Sequence, residues 1–169
     1  MSDVLRGRVW KFDHDISTDV LSPGAYALST IEERARHCLE SVNPDFARRV
    51  QEGDILVAGR NFGCGSSRET APENLKVLGV ACVVAESFSR LFMRNAVAVG
   101  LPVLVCPGVH RAISDGNEIE VDLATGELTN SANGERLPGE PLPEEMRRIL
   151  RAGGILEVLK EQVDADAGS

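Results

Sequence analysis

Residues 55–58, 80–85 and 101–106 are three continuous apolar runs with no polar alternation. A strand with one wet face alternates, so unbroken runs of this length predict strands covered on both sides. Between the first two, residues 70–78 carry a helical pattern that Gly79 stops. Between the second and third, Phe88, Leu91, Phe92, Asn95, Ala96 and Val99 recur at helical spacing until Gly100. Strand, helix, strand, helix, strand in that order predicts a βαβαβ unit with a parallel sheet.

The flanking thirds complete an α/β domain. Residues 6–12 alternate polar and apolar as a first strand, and an irregular stretch from Asp13 to the Pro23-Gly24 turn follows. Thr30, with Glu33 three residues on, predicts a helix over 30–40. Asn43-Pro44 predicts a short helix to Val50, with Asn43 as its cap. Later, residues 118–123 alternate as a half-exposed strand, and Thr125-Gly126 turns them back into 127–130. A helix over 144–151 then ends at Gly153-Gly154, with a further short turn over 155–160. The expected architecture is a central, mostly parallel sheet with flanking helices and a C-terminal β-hairpin and helix. Residues 1–160 form its single domain, and 161–169 a disordered tail.

A net charge of −8 excludes a surface built for nucleic acid or anionic membrane. No apolar run reaches the roughly 18 residues of a membrane span, and Met1-Ser2-Asp3 does not open a secretory signal. A cytoplasmic protein is expected. Cys38, Cys64, Cys82 and Cys106 stand far apart without a CxxC pair, so no metal cluster is expected on this chain.

Chemistry concentrates in the loop Gly59-Arg60-Asn61-Phe62-Gly63-Cys64-Gly65-Ser66-Ser67-Arg68-Glu69-Thr70. Its glycines allow unusual dihedrals and close approach, and Arg68 adds a permanent cation that suits a carboxylate or phosphate. It is not a P-loop, since it has no lysine, nor a dinucleotide loop, since Arg68 stands where the third glycine belongs. A nucleophile elbow needs glycine two residues after the serine, where Arg68 and Glu69 stand instead. Ser66-x-x-Glu69 could be a capping box, but it would carry Pro72 past the first turn. Thr70-x-x-Glu73 is the better box, which leaves Ser66, Ser67 and Arg68 free to face a ligand.

The stretch from Asn61 to Glu69, with Ala71-Pro72 after it, resembles the hallmark of the aconitase superfamily's swivelling domain. Lys11-Phe12 with Asp15-Ile16-Ser17-Thr18-Asp19, Gly53-Asp54-Ile55, the segment from Glu86 to Ala96, and Gly100-Leu101-Pro102 agree in order and spacing. The likeness runs from about Arg6 to Leu159 and is strongest to the free-standing small subunits of isopropylmalate dehydratases. It implies a hydro-lyase that removes water from a small hydroxy-dicarboxylic acid and returns it at the neighbouring carbon. It also implies a partner large subunit holding a [4Fe–4S] cluster, with no cofactor on this chain. Ser66 would be the base for the carbon-bound proton, Ser67 and Arg68 would bind a carboxylate, and Asp19 would be the acidic site residue.

In such relatives the segment after Pro23-Gly24 sets substrate choice. Here it reads Tyr26-Ala27-Leu28-Ser29-Thr30, with no arginine between Gly24 and Ile31. Tyr26 and Leu28 are the expected substrate-facing residues, and Leu28 suits an alkyl substituent better than a further carboxylate. Isopropylmalate is favoured over homoaconitate, and methyl- or dimethylmalate stays open. Two other classes compete: a non-catalytic anion-binding module, and a hydrolase in which Ser66 would need His14 or His37 within reach.

Overall fold

The computed structural model describes residues 3–168; Met1, Ser2 and Ser169 lie outside it. The reading of Met1-Ser2-Asp3 as no signal therefore rests mostly on residues outside the description.

Seven strands form one sheet in the order β4-β3-β2-β1-β5-β6-β7. In chain order they are β1 (Val4–Lys11), β2 (Ile55–Ala58), β3 (Cys82–Ala85), β4 (Val103–Val105), β5 (Glu118–Asp122), β6 (Glu127–Asn130) and β7 (Arg136–Pro138). β1 is the seam. It pairs parallel with β2 (Val9 opposite Ile55) and antiparallel with β5 (Arg6 opposite Glu120). The βαβαβ unit therefore forms the parallel half, and the expected C-terminal hairpin joins the same sheet through β1. Edge strand β7 lengthens that half; it ends at Pro138, which an edge position tolerates. Every residue of β2 and β3 is fully buried, as their unbroken apolar runs require.

The helices are α1 (Thr18–Leu21), α2 (Ile31–Arg36), α3 (Phe46–Arg49), α4 (Thr70–Val77), α5 (Arg90–Val99), α6 (Val109–Ala112), α7 (Glu144–Ala152) and α8 (Ile155–Ala167). Thr30 caps α2, its hydroxyl accepting from the Glu33 amide. α3 starts later than Asn43-Pro44 suggests: Asp45, not Asn43, stands at its N-cap, and Asn43 accepts from the Asp45 amide in the turn before it. Phe46 on α3 meets Trp10 and Phe12 edge-on, each at 5.4 Å between ring centroids, and so fixes α3 against β1. Gly100 ends α5 at φ +87°, where a Cβ would lie 2.4 Å from the Gly153 carbonyl oxygen. Helix α7 is tied to the chain's start by Arg147 and Arg151, which share the Asp3 carboxylate.

Two further expectations are corrected. The Thr70/Glu73 capping box does not form: Thr70 is already helical after Glu69, and its hydroxyl pairs with the Ser22 hydroxyl at 2.8 Å. Glu73 instead binds Arg34 of α2 at 2.5 Å, a partner 39 residues away. Pro72 does sit in the first turn of α4, and neither loop serine caps it. The short turn at 155–160 is in fact a helix reaching Ala167. Val158 anchors it, and the good helix formers that follow meet no breaker before Gly168, so the expected loose tail is helical from 161 to 167. Among the described residues, no helix is long and apolar enough to cross a membrane.

Candidate active site

In open parallel sheets, ligands bind beyond the carboxyl ends of the strands. Here the loops leaving β1, β2 and β3 are stitched together at that end. The Gly-rich loop after β2 lies in the middle. On one side Asp15 donates to the Arg60 carbonyl (2.8 Å), Gly63 donates to Ile16 (2.7 Å) and Thr18 donates to Cys64 (2.9 Å). On the other side Phe62 donates to Ser87 (3.0 Å), and Ser89 donates back to Phe62 (2.9 Å). Phe62 is fully buried and meets Phe88 and Phe92 edge-on. Gly63, at φ +80°, crosses so close that a Cβ would stand 2.3 Å from Cβ of Phe92. Only glycine fits there.

Beyond that anchor the loop turns outward. Ser66 and Ser67 are exposed, and the Thr18 hydroxyl donates to the Ser66 carbonyl at 2.7 Å. The Ser67 hydroxyl accepts from the Asn95 amide of α5 at 3.2 Å. Arg68 is half-buried. Its Nη1 donates to the Ser22 carbonyl at 2.9 Å, and its Nη2 meets Asp19 Oδ1 at 2.6 Å. Ser17 caps α1, which presents Asp19 in its first turn. Asn74 of α4 donates to the Leu21 carbonyl, so α1 and α4 hold Asp19 and Arg68 in one frame.

The backbone N–H groups of Gly65, Ser66, Ser67 and Arg68 have no acceptor among the described residues. Four open amides beside a guanidinium make a cradle for anionic oxygen. The Ser66 hydroxyl, on the same exposed turn, is bonded to none of the described residues.

Ser66, Ser67, Arg68 and Asp19 thus meet in one place. Tyr26 and Leu28 are not fastened to them. The Tyr26 ring stacks on His37 at 3.6 Å and 2°, against the end of α2. Leu28 is fully exposed, three residues before Ile31, which lines a groove of about 630 Å³ with Glu69 and Asn95. Three residues with a hand in the site escaped sequence reasoning: Thr18, Ser22 and Asn95. Asn95 was the detectable one, a lone polar residue within the apolar stripe of α5.

The histidines are engaged elsewhere. His37 lies between Glu40 (2.7 Å) and Glu33 (3.3 Å). His14 Nδ1 accepts from the Arg60 amide at 2.8 Å, and His110 Nε2 faces Asp13 at 3.3 Å. None bonds to Ser66, which removes the support for a serine hydrolase. Asp13, His14 and His110 cluster closely enough to suggest a metal. Yet a ring accepting at Nδ1 carries its proton on Nε2, so His14 cannot ligate through that nitrogen and keep its bond to Arg60.

The cysteines do not converge. Burial pushes the Cys38 and Cys82 thiols far above their usual range. Burial, helped by the charge of Glu86, pushes Cys106 up to about 11. Cys64 is half-exposed in the loop.

Residues 20–107 match the aconitase C-terminal domain family. The chain is 53% identical to the 3-isopropylmalate dehydratase small subunit 1 of Methanopyrus kandleri, over 96% of each chain. It is 48% identical to the isopropylmalate/citramalate isomerase small subunit of Methanocaldococcus jannaschii, over 96% of this chain and 98% of that one. A crystal structure of 3-isopropylmalate dehydratase from Methanocaldococcus jannaschii superposes with a TM-score of 0.91 at 38% identity, covering 98% of both chains. With the loop geometry and these likenesses in agreement, the chain belongs to the 3-isopropylmalate dehydratase small-subunit family, built on the aconitase C-terminal domain.

Proposed function

We propose that this chain is the smaller half of a two-chain hydro-lyase that interconverts 2- and 3-isopropylmalate through their shared dehydration product. The observation that carries the reading is the loop itself: amides at 65–68 without a described acceptor, a Ser66 hydroxyl bonded to no described residue, and Arg68 with donors to spare follow one another along one exposed turn. A substrate carboxylate binds Arg68 and Ser67. Two of the five N–H groups of Arg68 are committed to Ser22 and Asp19, which leaves three for a ligand.

Ser66 acts as the base. The carbon-bound proton passes to its oxygen, the C–H electron pair becomes the new double bond, and the C–O bond to the leaving hydroxyl breaks. Rehydration at the neighbouring carbon reverses these steps, with Ser66 returning a proton. An alkoxide at neutral pH needs strong stabilisation, and the free amide donors of 65–68 with Arg68 are the groups on this loop that could give it. A [4Fe–4S] cluster, held by the partner large subunit, supplies the Lewis acidity that the departing hydroxyl needs. The scattered cysteines support placing that cluster on another chain.

The absence of a cation between Gly24 and Ile31, with Leu28 exposed there, favours an alkyl group over a further carboxylate. The name of the Methanocaldococcus jannaschii relative includes citramalate, so the shorter alkyl-malate is the second reading. Reconstitution with a cluster-bearing large subunit tests both. Turnover of isopropylmalate, with citramalate slower and homoaconitate inert, is expected. Turnover by the isolated chain would overturn the two-chain reading. An assembled pair that ignores every alkyl-malate would point to an anion-binding module.

A further inference from the structure

The structure assigns a second anion site to the opposite end of the sheet: a basic pocket formed by Arg8 and Trp10 of β1, Arg48 and Arg49 of α3, and Val50 and Gln51. Together these residues line a cavity of about 490 Å³. It opens where β2 begins, whereas the candidate active site lies where β2 ends. Four strand residues, about 13 Å, separate the two levels. The inference does not depend on the proposed reaction.

The charge arrangement carries it. Acidic residues outnumber basic ones by eight in this chain, and many of its arginines are paired with carboxylates. On β1, Arg6 takes the cross-strand carboxylate opposite it, Glu120, at 2.9 Å. Arg8 stands opposite Glu118 in the same ladder but forms no ion pair with it. Arg8 lines the cavity, and its Nη2 comes within reach of Gly116. Arg49 likewise has no side-chain partner among the described residues, whereas Arg48 is held by Asp45 at 2.5 Å. Asp54 beside it is buried, and its Oδ2 is taken by the Trp10 indole N–H and the Gln51 amide, each at 2.9 Å. Two arginines without a carboxylate partner among the described residues therefore line one pocket with an indole. The ligand chemistry that satisfies them is a small polyanion with several anionic oxygens, either a phosphate or a polycarboxylate.

Trp10 is the only tryptophan of the chain, so its fluorescence reports on this pocket alone. The experiment titrates the full chain with pyrophosphate and, separately, citrate at low salt, and repeats both on an Arg8→Gln/Arg49→Gln double variant. Both arginines are exposed and unpaired, so the variant keeps the fold, which its melting temperature verifies. The expected result is a saturable change in Trp10 emission that weakens roughly tenfold or more in the double variant. A response to pyrophosphate but not citrate assigns phosphate; the reverse assigns a polycarboxylate. No saturable change through the millimolar range with either anion, or a change that the double variant leaves intact, overturns the site.

Discussion

Arg68 and Asp19 meet at 2.6 Å across the gap between α1 and the Gly-rich loop, with the Asp19 carboxylate far more exposed than the guanidinium. The pair is wet, so its direct contribution to stability is small, roughly 0–1 kcal/mol. Its importance is directional. With Ser22 accepting from Nη1 and Asp19 from Nη2, two contacts bias the orientation of the fork beside the loop.

In the proposed enzyme Asp19 would act by positioning Arg68, and its variants should separate by whether an acceptor survives. Asp19→Ala in the assembled enzyme should raise KM several-fold with a smaller change in kcat, because the fork gains freedom it must lose again on binding. Asp19→Asn keeps an acceptor oxygen and should recover much of that loss. Arg68→Lys, which cannot offer a planar pair of donors, should fare worse than either. Equal effects of Asn and Ala at position 19 would contradict the positioning role.

Ser66→Ala should lower kcat by roughly 10²–10⁴, the usual span for losing an acid–base group. The side chain bonds to no described residue, so assembly with the large subunit and the melting temperature should hold. A variant that assembles and keeps near-normal kcat would move the proton transfer to another group.

Gly63→Ala tests the anchor beneath the cradle. The residue sits at φ +80°, and the new methyl would collide with Phe92. The backbone conformation alone costs about 1–3 kcal/mol, and the collision adds to it. A loss of several degrees in melting temperature should accompany weaker carboxylate binding, since Gly63 and the cradle share one short loop. Calorimetric unfolding of the variant measures the first effect directly.

What the chain discloses depends on how far its interactions reach along the sequence. The parallel half was readable because 55–58 and 80–85 are apolar at every position, which only a doubly covered strand tolerates. The grouping of Ser66, Ser67 and Arg68 was readable for the same local reason. The Thr70/Glu73 box failed because both side chains found better partners elsewhere: Ser22, 48 residues away, and Arg34, 39 residues away. The stack of Tyr26 on His37, eleven residues on, likewise depends on a partner that the segment 24–30 does not contain. No local pattern records such preferences. Asn95 is the intermediate case, since its polarity within an apolar stripe was visible while its partner Ser67 was not.

The Tyr26–His37 stack should give the segment 24–30 a pH dependence. The hydrogen bond to Glu40 raises the His37 pKa above its ordinary value, burial opposes this, and the hydrogen bond to Glu33 raises it further. A group raised in the folded state stabilises fully below its unfolded pKa, near 6.5. That contribution is lost as pH rises through the higher folded value. Protonated His37 bridges both carboxylates and offers a cationic face to Tyr26, so it holds the segment 24–30 against α2. Hydrogen exchange in that segment, corrected for intrinsic rates, should show protection that is greatest below about pH 6.5 and declines above it. His37→Gln should lower the protection and flatten its pH dependence. Protection that stays constant across this range in the native chain would separate the stack from the titration of His37.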